Sequence, residues 1–421
     1  MRGLLSRLWR NRRLSVRPTA RGWQALFFGA VSLLVARLIG TTQLYQLGYA
    51  LAGLLLASLV LGFSLSRGLR YARHLPVGER FVAGRASHLT LSVSNVSRTR
   101  SPSAEVVDSL PEPRLFSMPP VGGTGTREIQ FPLLFEKRGL YELGPAIIRT
   151  ADPFGLLRFV RTLGERGETM VYPNVFELRD FPVRGRRGEI GETGSFNQQG
   201  DEFSGLREYR RGDDKRHIHW KSVARTGKLV VKEFSFNAPR RHAVVLDLQR
   251  ADTRGSTAEL EDAVSAAGSA LRYLAREGLP FRVLCSDKER RATEFGEGEA
   301  AYWRAMDLLA VAQADGETRL ADFLDAATRE ELGDGVILVV RSLTEGLVES
   351  VSRLRAAGLP AVVVVLATHT YRNSGASSGL EAAFEGKVRR LEFAGAVVRV
   401  VRSPGGAANL AGAQETARGA V

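Results

Sequence analysis

Between Gly200 and Phe234 the chain gathers carboxylates, arginines and two histidines into one polar stretch, GDEFSGLREYRRGDDKRHIHWKSVARTGKLVVKEF. Asp213, Asp214, His217 and His219 are groups that could take and return protons, and His217 and His219, two residues apart, would share one face of a strand. A metal would need a third or fourth ligand, and no further His or Cys stands close enough in sequence to supply it. The chain also lacks a Gly-x-x-x-x-Gly-Lys-Ser/Thr phosphate loop, a Gly-x-Ser-x-Gly elbow and a partner pattern around its single cysteine, Cys285.

The same stretch has a structural use. Phe203, Leu206, Tyr209, Ile218 and Trp220 are apolar anchors, while Arg207, Glu208, Asp213, Arg216 and Arg225 are groups that are costly to bury unpaired. Arg207 and Arg225 could each grip a carboxylate through two parallel hydrogen bonds, a geometry lysine cannot copy. An extended segment clamped across two domains needs this mixture. The expectation is therefore a clamp built on Phe203, Leu206, Arg207, Tyr209, Gly212, Asp213, Arg216, Ile218, Trp220 and Arg225, with no catalytic residue, metal or cofactor assigned.

The elements that must position this stretch lie on both sides of it. From His242 onward, Ala243–Leu248, Phe281–Cys285, Val336–Val340, Ala361–Leu366 and Ala396–Val400 are short, mostly apolar runs suited to buried parallel strands. Between the first two, Ser256 and Glu259 have capping-box spacing, and Leu260, Ala263, Val264, Ala267, Leu271 and Leu274 form one apolar helical face. Strands alternating with helices predict an open, doubly wound sheet over 242–402. Such sheets bind ligands beyond the carboxyl ends of their strands, which directs attention to Asp247. Before the signature, Leu89, Leu91 and Val93 alternate with Thr90, Ser92 and Ser94, and Arg127–Phe135 and Ala146–Thr150 are further strand candidates. With turn-rich runs at Pro111–Pro113 and Met118–Gly125 and a turn at Asp152-Pro153-Phe154-Gly155, residues 77–172 read as a small antiparallel β-sandwich.

At the N-terminus the pattern changes to membrane chemistry. Trp23–Ile39 contains a single charge, Arg37, and Leu44–Ser66 contains none, each long enough to cross or nearly cross a hydrocarbon core of about 30 Å. The pair reads as a transmembrane hairpin over 23–66. Residues 1–22 carry Arg2, Arg7, Arg10, Arg12, Arg13, Arg17 and Arg21 with no acid, and Arg67, Arg70 and Arg73 follow the second helix. Arginine-rich flanks stay inside, so both termini and the soluble domains are expected in the cytoplasm of a multi-pass inner-membrane protein. The formal charge of +14 draws heavily on this flank, where anionic membrane lipids are the natural partner and nucleic acid is not.

The spacing of Gly200, Glu202, Phe203, Leu206, Arg207, Tyr209, Gly212, Asp213, Arg216, Ile218, Trp220, Ala224 and Arg225 resembles the signature of the bacterial domain of unknown function 58 family, a group of membrane-anchored proteins. The resemblance implies a membrane-anchored α/β protein: transmembrane hairpin, β-sandwich over 77–172, signature segment over 173–241, von Willebrand factor A-like domain over 242–402 and a disordered tail over 403–421. The metal site of von Willebrand factor A domains uses an Asp-x-Ser-x-Ser run after the first strand. This chain has Asp247-Leu248-Gln249-Arg250-Ala251, without either hydroxyl, and Arg250 and Arg341 add positive charge. Members of the resembled family are linked with MoxR-type AAA+ ATPases. The function expected is thus a membrane-anchored scaffold or adaptor presenting a protein-binding surface to such an ATPase, and not an enzyme. A hydrolase or metal-dependent enzyme centred on 200–234, and a basic nucleic-acid-binding module, are the alternatives.

Overall fold

The computed structural model describes residues 14–74, 80–110, 112–164, 166–178, 181–183, 202–209, 218–235, 240–250, 257–371, 378–403, 406–408 and 410. Two compact units divide the chain, Met1–Tyr172 and Pro173–Val421.

The first unit opens with strand β1 (Leu14–Pro18), helix α1 (Ala20–Ile39) and helix α2 (Thr42–Arg67). Thr19 caps α1, its hydroxyl accepting from the Gly22 amide at 3.1 Å. Both helices are apolar around most of their circumference and expose most of their surface, including Trp23, Phe27, Leu34 and Leu38. They pack on each other where Gly29 meets Leu51 and Gly48 meets Leu33. Strands β2 (Leu69–His74), β3 (Phe81–Val82), β4 (Ala86–Asn95), β5 (Ala104–Leu110), β6 (Glu112–Met118), β7 (Thr126–Leu134), β8 (Gly139–Leu143), β9 (Ala146–Ala151), β10 (Leu157–Leu163) and β11 (Gly167–Tyr172) follow. They form three sheets, ordered β1-β10-β9-β5-β6, β2-β4-β7 and β3-β11-β8. Leu89, Leu91 and Val93 are buried on one face of β4, the first two against Phe81, Phe135, Leu143 and Val171, the third against Val106, Met118 and Ile148.

Three features differ from the expectations. The flank over 1–22 is not all flank, because Leu14–Pro18 is an edge strand paired antiparallel with β10. Its alternation of Leu14 and Val16 with Ser15 and Arg17 is only five residues long and hides in an arginine-rich run. Of the turn-rich run expected at 111–113, Glu112 and Pro113 belong to β6, an edge strand where Pro113 costs no interior ladder bond, and Pro111 lies outside the described residues. Arg73 is not a membrane-surface charge: its Nε and Nη2 donate to Asp108 at 2.9 and 2.5 Å, and Asp108 is buried. The Tyr71 hydroxyl donates to the same carboxylate, and burial followed by that bond pushes the phenol up from its ordinary value. The turn at Asp152–Gly155 is present, with the Asp152 carboxylate accepting from the amides of Phe154 and Leu157.

Both ends of the helical hairpin are fastened to this one unit. At its start the Thr19 amide donates to Leu156 O at 2.8 Å. At its end Gly62 lies so close to the Phe159 ring that an added Cβ would collide with it.

In the second unit, β12 (Glu202–Glu208) and β13 (Val230–Ser235) form an antiparallel pair, with short helix α3 (Trp220–Thr226) between them in sequence. Then come β14 (His242–Leu246), α4 (Thr257–Arg276), β15 (Phe281–Cys285), α5 (Gly298–Ala310), α6 (Leu320–Ala326), α7 (Arg329–Leu332), β16 (Gly335–Val340), α8 (Glu345–Ala356), β17 (Ala361–Leu366), α9 (Ser378–Phe393) and β18 (Val397–Val401). The five strands form one sheet, ordered β15-β14-β16-β17-β18, in which every pairing is parallel. Ala243, Val245, Leu338, Val340, Val363 and Val365 form one buried layer with Phe323, Leu324, Val351 and Leu391 of α6, α8 and α9. Helices α4 and α5 pack with each other and against β14 and β15. Of the apolar face predicted for α4, Ala263, Val264, Ala267, Leu271 and Leu274 are buried and Leu260 is half-buried, while Ser256 lies outside the described residues. Apart from residues 403, 406–408 and 410, the tail expected to be disordered also lies outside them.

Candidate functional site

All five parallel strands end at one edge of the sheet, so the residues that follow them are brought together there. Asp247 follows β14 and Arg341 follows β16, both almost fully buried at 3% and 7% exposure. The Asp247 carboxylate accepts from the Gln249 amide at 3.1 Å and the Arg341 amide at 3.2 Å. The Arg341 side chain then turns over the loop, its Nε donating to Asp247 O at 3.1 Å and its Nη2 to Gln249 O. Burial pushes the Asp247 carboxyl up, against the pull of Arg341 and the loop amides.

The loop is held from its other side as well. Ser286 Oγ accepts from the Leu248 amide at 2.8 Å, and Gly316 pairs with Gln249 through two backbone bonds, Gly316 N to Leu248 O and Arg250 N to Gly316 O. Gly316 is required here because a Cβ would run into the Ser286 carbonyl. Asp247 therefore caps a loop whose carbonyls are satisfied by a guanidinium. Among the described residues no group of three His, Cys, Asp or Glu side chains is placed to hold a metal.

A second cluster lies further along the same edge. Glu381 of α9 bridges His369, just after β17, and Arg402, just after β18, with Arg402 Nη2 donating at 3.0 Å. The bond from Arg402, then that from His369, holds the Glu381 carboxyl below its ordinary value. The Tyr371 hydroxyl donates to Asp262 of α4 at 2.6 Å, and burial together with that bond pushes the phenol up. These residues escape a sequence reading because Asp262 and Tyr371 are 109 positions apart. The signal that could have found them is topological: each of His369, Tyr371 and Arg402 closely follows a predicted strand.

The signature residues divide into three groups. Gly212, Asp213, Arg216 and His217 lie outside the described residues, as do the side chains of Phe203 and Arg207. Ile218 is buried and bridges to Val231, and Tyr209 is half-buried with its amide donating to Leu229 O at 2.9 Å. Leu206 and Trp220 are exposed, at 43% and 65%, so within this unit they do not act as the expected anchors. Leu206 sits on a strand pair to which no third strand is paired among the described residues, and Trp220 opens a helix of only seven residues. Arg225 is also exposed and has no carboxylate partner among the described residues, while Asp213 and Asp214 lie outside them. His219 Nδ1 is engaged with Ser222 Oγ at 2.8 Å. Arg225→Lys should consequently change the urea midpoint of unfolding by less than about 0.5 kcal/mol equivalent, the usual range for a surface substitution. A larger loss would mean that Arg225 is gripped by the rest of the chain.

A five-stranded parallel sheet with helices on both faces, preceded by an antiparallel pair and by two long apolar helices, is the class of molecule this geometry defines. Residues 205–369 match the family described as protein of unknown function DUF58. The chain is also similar to the uncharacterized protein YeaD of Bacillus subtilis (strain 168), 26% identical over 235 residues that cover 55% of this chain and 56% of the relative. The chain thus spans about half the length of the curated relative it matches. Among solved structures, the CARDB domain of a Pyrococcus furiosus protein is 12% identical over 23% of this chain and 94% of that one, with a TM-score of 0.18. The DNA glycosylase AlkC of Pseudomonas fluorescens is 10% identical over 35% of this chain and 46% of that one, also at 0.18. Likenesses this slight carry no argument about fold or role.

Proposed function

We propose that the protein is a membrane-anchored cytoplasmic adaptor whose parallel sheet is a von Willebrand factor A-like domain, preceded in sequence by a β-sandwich, and that it offers the carboxyl edge of this sheet to a protein partner such as a MoxR-type AAA+ ATPase. The observation that carries this reading is Arg341. In the cation-dependent version of such a domain the loop after the first strand holds a metal through an aspartate and two hydroxyls; here the hydroxyl positions are Gln249 and Ala251, and the space over Asp247 is crossed by a guanidinium. A site filled this way favours recognition by shape and surface charge over chemistry at a metal.

Anchoring is supported by the two apolar helices and by the fastening of both hairpin ends to one unit, which puts them on the same side of any membrane the pair crosses. The arginine-rich flanks support a cytoplasmic placement of that side. Capture of partners from solubilised membranes on the intact chain tests the partner assignment. Calorimetry of the full chain with magnesium or manganese separates adaptor from metal enzyme: no binding at the Asp247 loop is expected, and micromolar binding abolished by Asp247→Ala would refute the reading.

A further inference from the structure

Along the outer face near the end of α2 runs a groove of about 470 Å3 lined by Leu59, Val60, Phe63, Ser64 and Arg67. Its apolar wall ends in a cation, with the Arg67 guanidinium 5.8 Å from the centre of the Phe63 ring. Just beyond the helix Arg70 is exposed on β2, and Arg161 of β10 reaches back, its Nη1 donating to Ser66 O at 2.6 Å and Arg67 O at 3.1 Å. Arg161 thereby covers the carbonyl end of the helix, which would otherwise repel an anion. Burial, and then the charges of Arg67 and Arg70, hold the Arg161 guanidinium below the ordinary arginine range. None of the three has a carboxylate partner among the described residues. On the other face of the same strand Arg158 stands directly across from Arg17, a like-charge cross-strand pair that is unfavourable without a counter-anion.

We propose that this corner binds one anionic phospholipid, its phosphate held by Arg67, Arg70 and Arg161 and an acyl chain lying over Leu59, Val60 and Phe63. The arrangement supplies the two things such a ligand presents together: a hydrocarbon surface at bilayer depth and concentrated positive charge where the headgroups begin. A phosphate bound without its chains would leave the groove unused. The proposal rests on the reading of α1 and α2 as membrane spans.

The full chain in nanodiscs made of equal parts phosphatidylglycerol and phosphatidylcholine, released and weighed by native mass spectrometry, should retain one phosphatidylglycerol in preference to phosphatidylcholine. Removing one charge should weaken retention about five-fold, and Arg67→Gln with Arg70→Gln together roughly 30-fold. Arg67→Lys with Arg70→Lys should keep most of the preference. Both arginines are exposed, so these variants retain the fold, and Arg161 is left intact because it caps the helix. A wild-type chain that inserts without preferring phosphatidylglycerol, or a glutamine variant that prefers it equally, overturns the lipid site and leaves the anchoring reading standing. A chain that does not enter nanodiscs overturns both. Millimolar inorganic phosphate should not displace the lipid, and displacement would assign the arginines to a soluble anion instead.

Discussion

Replacing Arg341 with methionine should destabilise the parallel sheet by about 3–5 kcal/mol, the range for removing one partner from a buried ionic cluster. The substitution nearly conserves side-chain bulk but leaves the Asp247 and Gln249 carbonyls without their donors and the buried Asp247 carboxyl without its facing charge. Asp247→Asn should cost less, since the amide oxygen can still accept from Gln249. The double variant should cost clearly less than the sum of the two, because one cluster is being dismantled twice. The molecule supplies its own reporter: Cys285, the only cysteine, is fully buried in β15, so its protection from a thiol reagent during urea titration follows this sheet. A methionine variant as stable as wild type would mean that Arg341 does not hold the loop.

The second large effect is a loss of stability in mild acid through His242. This side chain opens β14 at 3% exposure, with its Nδ1 unpartnered among the described residues, near Asp334 and Arg240. Burial lowers its pKa from 6.5 to about 4, outweighing the opposing pull of the Arg240 backbone and Asp334. Between those two values the unfolded chain binds a proton that the folded chain refuses, so stability is complete above about pH 6.5 and declines as the pH falls toward 4. The accumulated loss is about 3 kcal/mol. Hydrogen exchange of the His242–Leu246 amides across a urea series at pH 7 and pH 4.5, corrected for the intrinsic rate, should show this loss in wild type. In His242→Gln the difference between the two pH values should shrink by that amount. An unchanged pH dependence in the variant would place the acid sensitivity elsewhere.

The parts of the fold that were legible in sequence are those where burial is complete. Phe281–Cys285 and Ala361–Leu366 were read to the residue because strands covered on both faces become uninterrupted apolar runs. The first strand was read one residue late and two residues long, as Ala243–Leu248, because a buried histidine does not announce itself and Leu248 is buried in the following loop. Elements at the margins were harder: β1 is five residues among arginines, and β6 contains a proline that only an edge strand tolerates. At the candidate site, Asp247 and Arg341 were legible from the strand order and the missing hydroxyls. The His369–Glu381–Arg402 bridge was not, because its members come from three different elements. Trp220 misled because an aromatic in a dense motif suggests an anchor, whereas this one lies exposed on a single short helix.

The adaptor account is tested most directly by photo-crosslinking of the full chain in intact membranes, with a photoreactive residue introduced at one position at a time. Arg250 and Ser342 are exposed at the carboxyl edge of the sheet, and Glu277 and Pro360 are exposed at the opposite end. The account predicts adducts with an AAA+ ATPase from Arg250 and Ser342 and none from Glu277 or Pro360. Adducts confined to Glu277 and Pro360, or the absence of any protein adduct from the carboxyl edge, would contradict it.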